Sequence, residues 1–157
     1  MTTSSASASA PITPLRGIHH LKFAVSDLPR ALAFYEQAFG ARRIPHFDHR
    51  HENGSVYAHI LELQGLGTHL ELRLNAAHAA RHRLFNTLTI TVDDRAALER
   101  WDWHLNILDL PHSPVLVSLL AWVMVIEDPD QNRIRLYTRE SHGPELPPDA
   151  DSPWLAD

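Results

Sequence analysis

The chain contains no cysteine among its 157 residues. Disulfides, thiolate metal sites and cysteine nucleophiles are therefore excluded, and the composition suits a reducing cytoplasm. Glycine is scarce, at six residues, and it forms neither a phosphate-cradling loop nor a Gly-x-Ser-x-Gly elbow. No apolar run approaches the roughly 20 residues that span a bilayer. Basic charge is also short, with 14 Lys and Arg against 19 Asp and Glu. The resulting net charge of −5 argues against nucleic acid or an anionic membrane as the main partner. Residues 1–15 are rich in Ser, Ala and Thr, with neither a basic start nor an apolar core. They fail as a secretory signal and read as a flexible leader, so the cytoplasm is the expected location.

What is present is a soluble composition, 44% hydrophobic and 21% charged, at a length that fits one domain. Twelve histidines stand out, each a candidate ligand or proton carrier. An internal repeat organises the rest. His20-Leu21-Lys22-Phe23-Ala24-Val25-Ser26-Asp27 matches Thr87-Leu88-Thr89-Ile90-Thr91-Val92-Asp93-Asp94. Both segments alternate with the period of a strand that has one face in a core. Leu21, Phe23 and Val25 share the core face with Leu88, Ile90 and Val92, while His20, Lys22 and Ala24 share the other with Thr87, Thr89 and Thr91.

A helix follows each strand. Ser26 or Asp27 caps the first, Pro29 fits its opening turn, and Gly40 ends a stripe of Leu28, Leu32, Tyr35 and Phe39. Asp93 or Asp94 caps the second, with a stripe of Leu98, Trp101, Leu105 and Leu108. Strand-like runs come next, over 43–47, 55–63 and 69–74, and again over 115–119, 122–127 and 133–138. Turns at Asn53-Gly54 and Asp128-Pro129-Asp130-Gln131-Asn132 separate them. The fold class is α+β, with two βαβββ modules over 16–75 and 85–140 and a linker over 76–84. The tail, 141–157, is rich in proline and acids and should be extended, with Trp154-Leu155 docking back on the body.

Three stretches resemble one family. Gly17-Ile18-His19-His20-Leu21-Lys22-Phe23-Ala24-Val25-Ser26-Asp27-Leu28, the helix from Ala33-Phe34-Tyr35 to Phe39-Gly40, and Asp128-Pro129-Asp130-Gln131-Asn132-Arg133-Ile134-Arg135-Leu136-Tyr137 are similar to the vicinal-oxygen-chelate superfamily of glyoxalases, bleomycin-resistance proteins and extradiol dioxygenases. The resemblance implies that each module curls its mixed sheet into a half-barrel, with a cavity between paired modules. It also implies a homodimer, since two-module members pair modules across chains. Enzymes of the family hold a divalent metal in that cavity, and bleomycin-resistance-type members bind a ligand there without one.

The family's metal positions fall on His20 and Glu71 in the first module, and on Thr87 and Arg135 in the second. An imidazole and a carboxylate suit Zn, Mn, Fe or Ni. Threonine is a poor ligand, and a guanidinium has no lone pair to give. Two ligands are fewer than catalytic sites generally supply, so no metal cofactor is expected. Gln131 stands where the family pattern has Gly, and Arg135 where it has Glu.

Two roles stay open for Arg135: an ion pair with Glu71 across the cavity, or a contact to a bound guest. Strand alternation places His69, Glu71 and Arg73 on one face, and Arg133, Arg135 and Tyr137 on the matching one. Arg73 and Arg133 are expected near a solvated rim. His46, His49 and His51 flank a turn and are expected to be exposed, His19 to face away from His20, and His59 and Tyr57 to line the cavity. The leading expectation is a binding protein that holds a small anionic or polar-aromatic molecule against His20, Lys22, His69, Glu71, Thr87, Arg135 and Tyr137. The alternative is an enzyme of isomerase, lyase or dioxygenase type, in which His20 and Glu71 act as an acid–base pair or keep a metal. A scaffold with a filled cavity is a third possibility.

Overall fold

The computed structural model describes residues 13–156. The leader expected over 1–15 therefore lies almost wholly outside the described residues. The first module runs β1 (His20–Val25), α1 (Leu28–Phe39), β2 (Arg42–Arg43), β3 (His49–Arg50), β4 (Val56–Glu62) and β5 (His69–Leu74). A short helix, α2 (Ala76–Arg81), leads to the second: β6 (Asn86–Val92), α3 (Arg95–Ile107), β7 (Leu116–Val117), β8 (Ala121–Glu127) and β9 (Arg133–Ser141). The two sheets share one topology. The first is ordered β1-β5-β4-β2, with β3 also on β4, and the second β6-β9-β8-β7. In each, the opening strand pairs parallel with the closing one, which is antiparallel to its other neighbour.

Local chemistry sets these elements. The Asp27 carboxylate accepts from the Arg30 amide and opens α1, and Asp94 does the same for α3 through Ala97. Gly40 closes α1 at φ 61°, a left-handed backbone that a Cβ would strain. The run expected as a strand over 43–47 is instead broken. Pro45 has no amide to give a ladder, and Pro45–Phe47 winds into a 3₁₀ turn between β2 and β3. The linker is likewise part helix, capped by Asn75, whose side chain accepts from the His78 amide.

Alternation along the strands decides which face is wet. Phe23, Val25, Leu70 and Leu72 of the first sheet join Met124, Ile126, Ile134 and Leu136 of the second in one core, with Leu28, Ala31, Tyr35 and Ala38 of α1 and Leu98 and Leu105 of α3. The other face of each sheet is left for chemistry. The Asp-Pro-Asp-Gln-Asn turn clasps the modules together. Tyr35 Oη donates to Asp128 Oδ2 at 3.0 Å, Asn132 Nδ2 to the Ala24 carbonyl at 3.2 Å, and the Ser26 amide to Asp130 Oδ2 at 2.9 Å. Burial pushes the Asp128 carboxyl above its ordinary range even though Asn132 and Tyr35 donate to it. Burial, reinforced by Asp128, raises Tyr35 well above a free phenol.

The tail does not run out extended. After β9 it turns over residues 144–155 and returns to the second sheet, where Trp154 and Leu155 dock.

Candidate functional site

The wet face of the first sheet is built on a register in which His20 stands beside His69 and Lys22 beside Glu71. Ile60 faces Glu71 from β4. Glu71 is 1% exposed, a buried carboxylate in the middle of a sheet. Such a charge persists only if other groups satisfy it. Arg73 does most of this: two residues along the same strand, its Nε–H donates to Oε1 at 2.6 Å. His20 Nε2 lies 3.4 Å and Lys22 Nζ 3.5 Å from Oε2, and His49 Nδ1 lies 3.9 Å from Oε1. Arg73 Nη2 also donates to His49 Nδ1 at 3.2 Å, which assigns the proton of a neutral His49 to Nε2. One carboxylate thus faces two permanent cations and two imidazoles.

Above Glu71 opens a cavity of about 350 Å³ lined by His19, His20, Phe47, His49, Ile60, His69 and Glu71. Its walls are aromatic. Phe47 and His69 stand 5.9 Å apart between ring centroids. Tyr57, expected to line the cavity, is not among its walls; Arg73 lies over its ring at 4.8 Å. His19 and His20 meet through their Nδ1 atoms at 2.9 Å, one ring donating and the other accepting. A larger groove of about 770 Å³ lies along the edge at Ile18, Arg42, Glu62 and Gly65, but it has no buried acid.

Four of the seven expected site residues, His20, Lys22, His69 and Glu71, gather on this face. The other three are on the second sheet. Thr87 Oγ1 donates to the Phe85 carbonyl, Tyr137 Oη meets Ser118 Oγ at 3.1 Å, and Arg135 Nη2 donates to the Leu155 carbonyl at 3.3 Å. The ion pair weighed between Arg135 and Glu71 is not formed; Arg73 takes that place because it shares the strand and the face of Glu71. Arg73 is accordingly not a solvated rim residue, nor is His49 an idle one. The 3₁₀ turn made by Pro45 brings Phe47 and His49 over the sheet, and the proline was the available signal. His19, expected to face away, lines the same cavity.

His59 is another correction. It leaves the cavity and stands with its Nδ1 3.2 Å from Asp48 Oδ1, where Arg43 also binds the carboxylate. Burial alone would raise Asp48, but the hydrogen bonds from Arg43 and His59 outweigh it and hold the carboxyl below its ordinary range.

The donor set around Glu71 does not fit a divalent metal. Both carboxylate oxygens are engaged by cations, and the counterparts in the second module are a threonine and a guanidinium. No group of three or more His, Asp or Glu among the described residues is arranged to hold one.

The Glyoxalase/Bleomycin resistance protein/Dioxygenase superfamily pattern matches residues 17–136. The chain belongs to this superfamily. No curated protein matches it in sequence. Among solved structures, a fosfomycin resistance protein, FosX, from Listeria monocytogenes is similar at 14% identity and a TM-score of 0.64, over 81% of this chain and 96% of that one. A glyoxylase/bleomycin resistance protein/dioxygenase domain from Frankia sp. EAN1pec gives 16% and 0.61, over 80% and 98%. Lactoylglutathione lyase from Agrobacterium tumefaciens gives 18% and 0.57, over 81% and 96%. At these identities the likeness carries the fold, and the site must be argued from its own residues.

Proposed function

We propose that the chain binds a small anionic molecule with an apolar or aromatic edge on the open face of its first module, without a divalent metal. The observation that carries this reading is Glu71, buried at the cavity floor and outnumbered by Arg73 and Lys22. With neutral histidines the cluster holds one net positive charge, inside a protein whose overall charge is negative. A low-dielectric wall on one side strengthens that field toward the opening. Phe47, Ile60, His69 and the His19–His20 pair supply flat, partly apolar walls, and the volume suits a compact guest.

One structure of the Listeria FosX contains Mn(II) and 1S,2S-dihydroxypropylphosphonic acid, a small phosphonate. That compound is a suitable probe here. Calorimetry in chelator should show binding that Lys22→Met and Arg73→Met each weaken about tenfold, the size of a charge-assisted bond. Binding that appears only when Mn(II) is supplied and vanishes in His20→Ala would overturn the reading and return the site to metal chemistry.

A second reading, an acid–base enzyme, rests on the chain His19–His20–Glu71. His20 Nδ1 is tied to His19 while its Nε2 faces a buried carboxylate, an arrangement that can carry a proton to a bound guest. Its signature is exchange of a carbon-bound proton of the bound ligand with deuterated solvent, lost in His20→Ala while binding is kept.

A further inference from the structure

The chemistry of the first sheet's wet face does not end at His69. Direct cross-strand partners share a face of a sheet. The register carries one row of such partners from β1 to β2: His20 beside His69, His69 beside Glu62, and Glu62 beside Arg42. The adjoining row holds Lys22, Glu71 and Ile60. The face that bears the buried carboxylate therefore continues without a break to Arg42 and Glu62. The two hollows on this face are neighbours. His19 and His69 line both the cavity of about 350 Å³ over Glu71 and the groove of about 770 Å³ beside it.

The two ends differ in chemistry. At the cavity end Lys22 and Arg73 outnumber the carboxylate. In the groove Arg42 bonds Glu62 one to one, so their charges cancel, and both side chains are exposed. Such a surface pair contributes little to the fold, so little is lost when a guest shares its atoms. A guanidinium, a carboxylate and the Gln64 amide are planar groups with paired polar atoms, the kind that meet adjacent hydroxyls of a sugar ring two at a time. The groove is also shaped in advance. Thr68 Oγ1 lies 2.8 Å from the His19 carbonyl and 3.1 Å from that of Ile18, which ties the loop between β4 and β5 to the start of β1. A preformed wall lowers the ordering cost of binding. From Glu71 to Arg42 is two residues along the sheet and two strands across it, about 12 Å at the usual rise and spacing. That is longer than a compact anion and close to the length of two linked sugar rings.

We propose that the first module takes an elongated guest: a phosphate or phosphonate head over Lys22 and Arg73, joined to a neutral, hydroxyl-rich tail of sugar type along Arg42, Glu62 and Gln64. His19 and His69 stand where head and tail join. This inference rests on the reading of the first module as an anion site and adds the class of guest.

Calorimetry on the full chain in chelator tests it with two probes. One is 1S,2S-dihydroxypropylphosphonic acid, which is all head, and the other is trehalose 6-phosphate, which adds two sugar rings. Trehalose 6-phosphate is expected to bind about tenfold tighter, equivalent to about 1.4 kcal/mol. Arg42→Ala and Glu62→Ala should each weaken trehalose 6-phosphate about fivefold, although they change the charge in opposite directions. The short probe should stay within about twofold in both, because about 12 Å exceeds the Debye length of about 8 Å at physiological salt. Octylphosphonate, of similar reach but without hydroxyls, should gain nothing over the short probe. Equal affinity for short probe and trehalose 6-phosphate, an equal gain from the octyl tail, or variants that leave trehalose 6-phosphate unchanged would overturn the elongated site while the anion site stands. Failure of every probe to bind would overturn the anion site itself, and this inference with it.

Discussion

Glu71→Gln separates the two tasks of the buried carboxylate, because it should harm the fold and help the guest. The substitution keeps the shape and removes the charge that Arg73 meets at 2.6 Å, His20 at 3.4 Å and Lys22 at 3.5 Å. Breaking a fully buried ion pair costs about 3–5 kcal/mol. Here the stranded partners are not fully buried, Arg73 being 32% exposed and Lys22 48%, so water recovers much of their hydration. The net loss should be about 1–2 kcal/mol, a fall in Tm of about 2–8 °C for a chain of this length. For an anionic guest the sign reverses. A phosphonate about 5 Å from the carboxylate is repelled by about 1–3 kcal/mol, depending on the local dielectric, and at this half-exposed mouth the lower value governs. Its removal should tighten the phosphonate about fivefold. Thermal unfolding and calorimetry on the same protein read both signs. A variant that folds as the parent does but no longer binds the phosphonate would refute the reasoning, since Glu71 would then be touching the ligand rather than balancing its receptors.

Asp48 predicts the acid limb of stability. Its carboxyl is held below the ordinary range in the fold, so the stabilisation is present above the unfolded value of about 3.9 and is lost as pH falls through the depressed folded value. Asp48→Asn should therefore flatten the loss of stability below about pH 4 seen in urea titrations, and a parallel, unflattened limb would rule out this source. Gln131 tests a strained backbone. It sits at φ 62°, where the family pattern has Gly, with its Oε1 accepting from Arg83. Gln131→Gly should be near neutral, because about 1 kcal/mol of strain relief is offset by unfolded-chain entropy and the lost hydrogen bond. Gln131→Val should cost about 1–2 kcal/mol in chemical denaturation, because a β-branched residue adopts that backbone poorly, and equal stability of the two variants would refute the strain.

Sequence made the frame legible and the site only in part. Strict alternation in His20–Val25 and Asn86–Val92 gave the core faces, and the repeat between them gave the two modules, because both signals are local and periodic. The charge cluster needed more. Alternation put Glu71 and Arg73 on one face, but it carries no information about which of two cations turns inward. Sequence leaves open a pair between Arg135 and Glu71 across the cavity, whereas a neighbour two residues along the same strand reaches the carboxylate. His49 was missed for a different reason: it becomes part of the cavity through the 3₁₀ turn at Pro45, a three-dimensional reversal with no periodicity to reveal it.

The divergence of the two faces has a physical logic of its own. In a duplicated fold each sheet exposes one face, and an acid at the same place in both would repel its twin or call for a cation between them. Here the duplicate positions are Glu71 and Arg135, and each charge is answered within its own module. Arg73 answers the first, and the Leu155 carbonyl of the returning tail is among the groups that meet the second. With Arg73 on the same strand as its counter-charge and Lys22 beside it, Glu71 has both oxygens engaged by cations, and this is the basis on which the face is proposed to take an anionic guest. The first face is thus satisfied and open, and the second is satisfied and covered. That difference, rather than the shared fold, is where a distinct activity for this chain would arise.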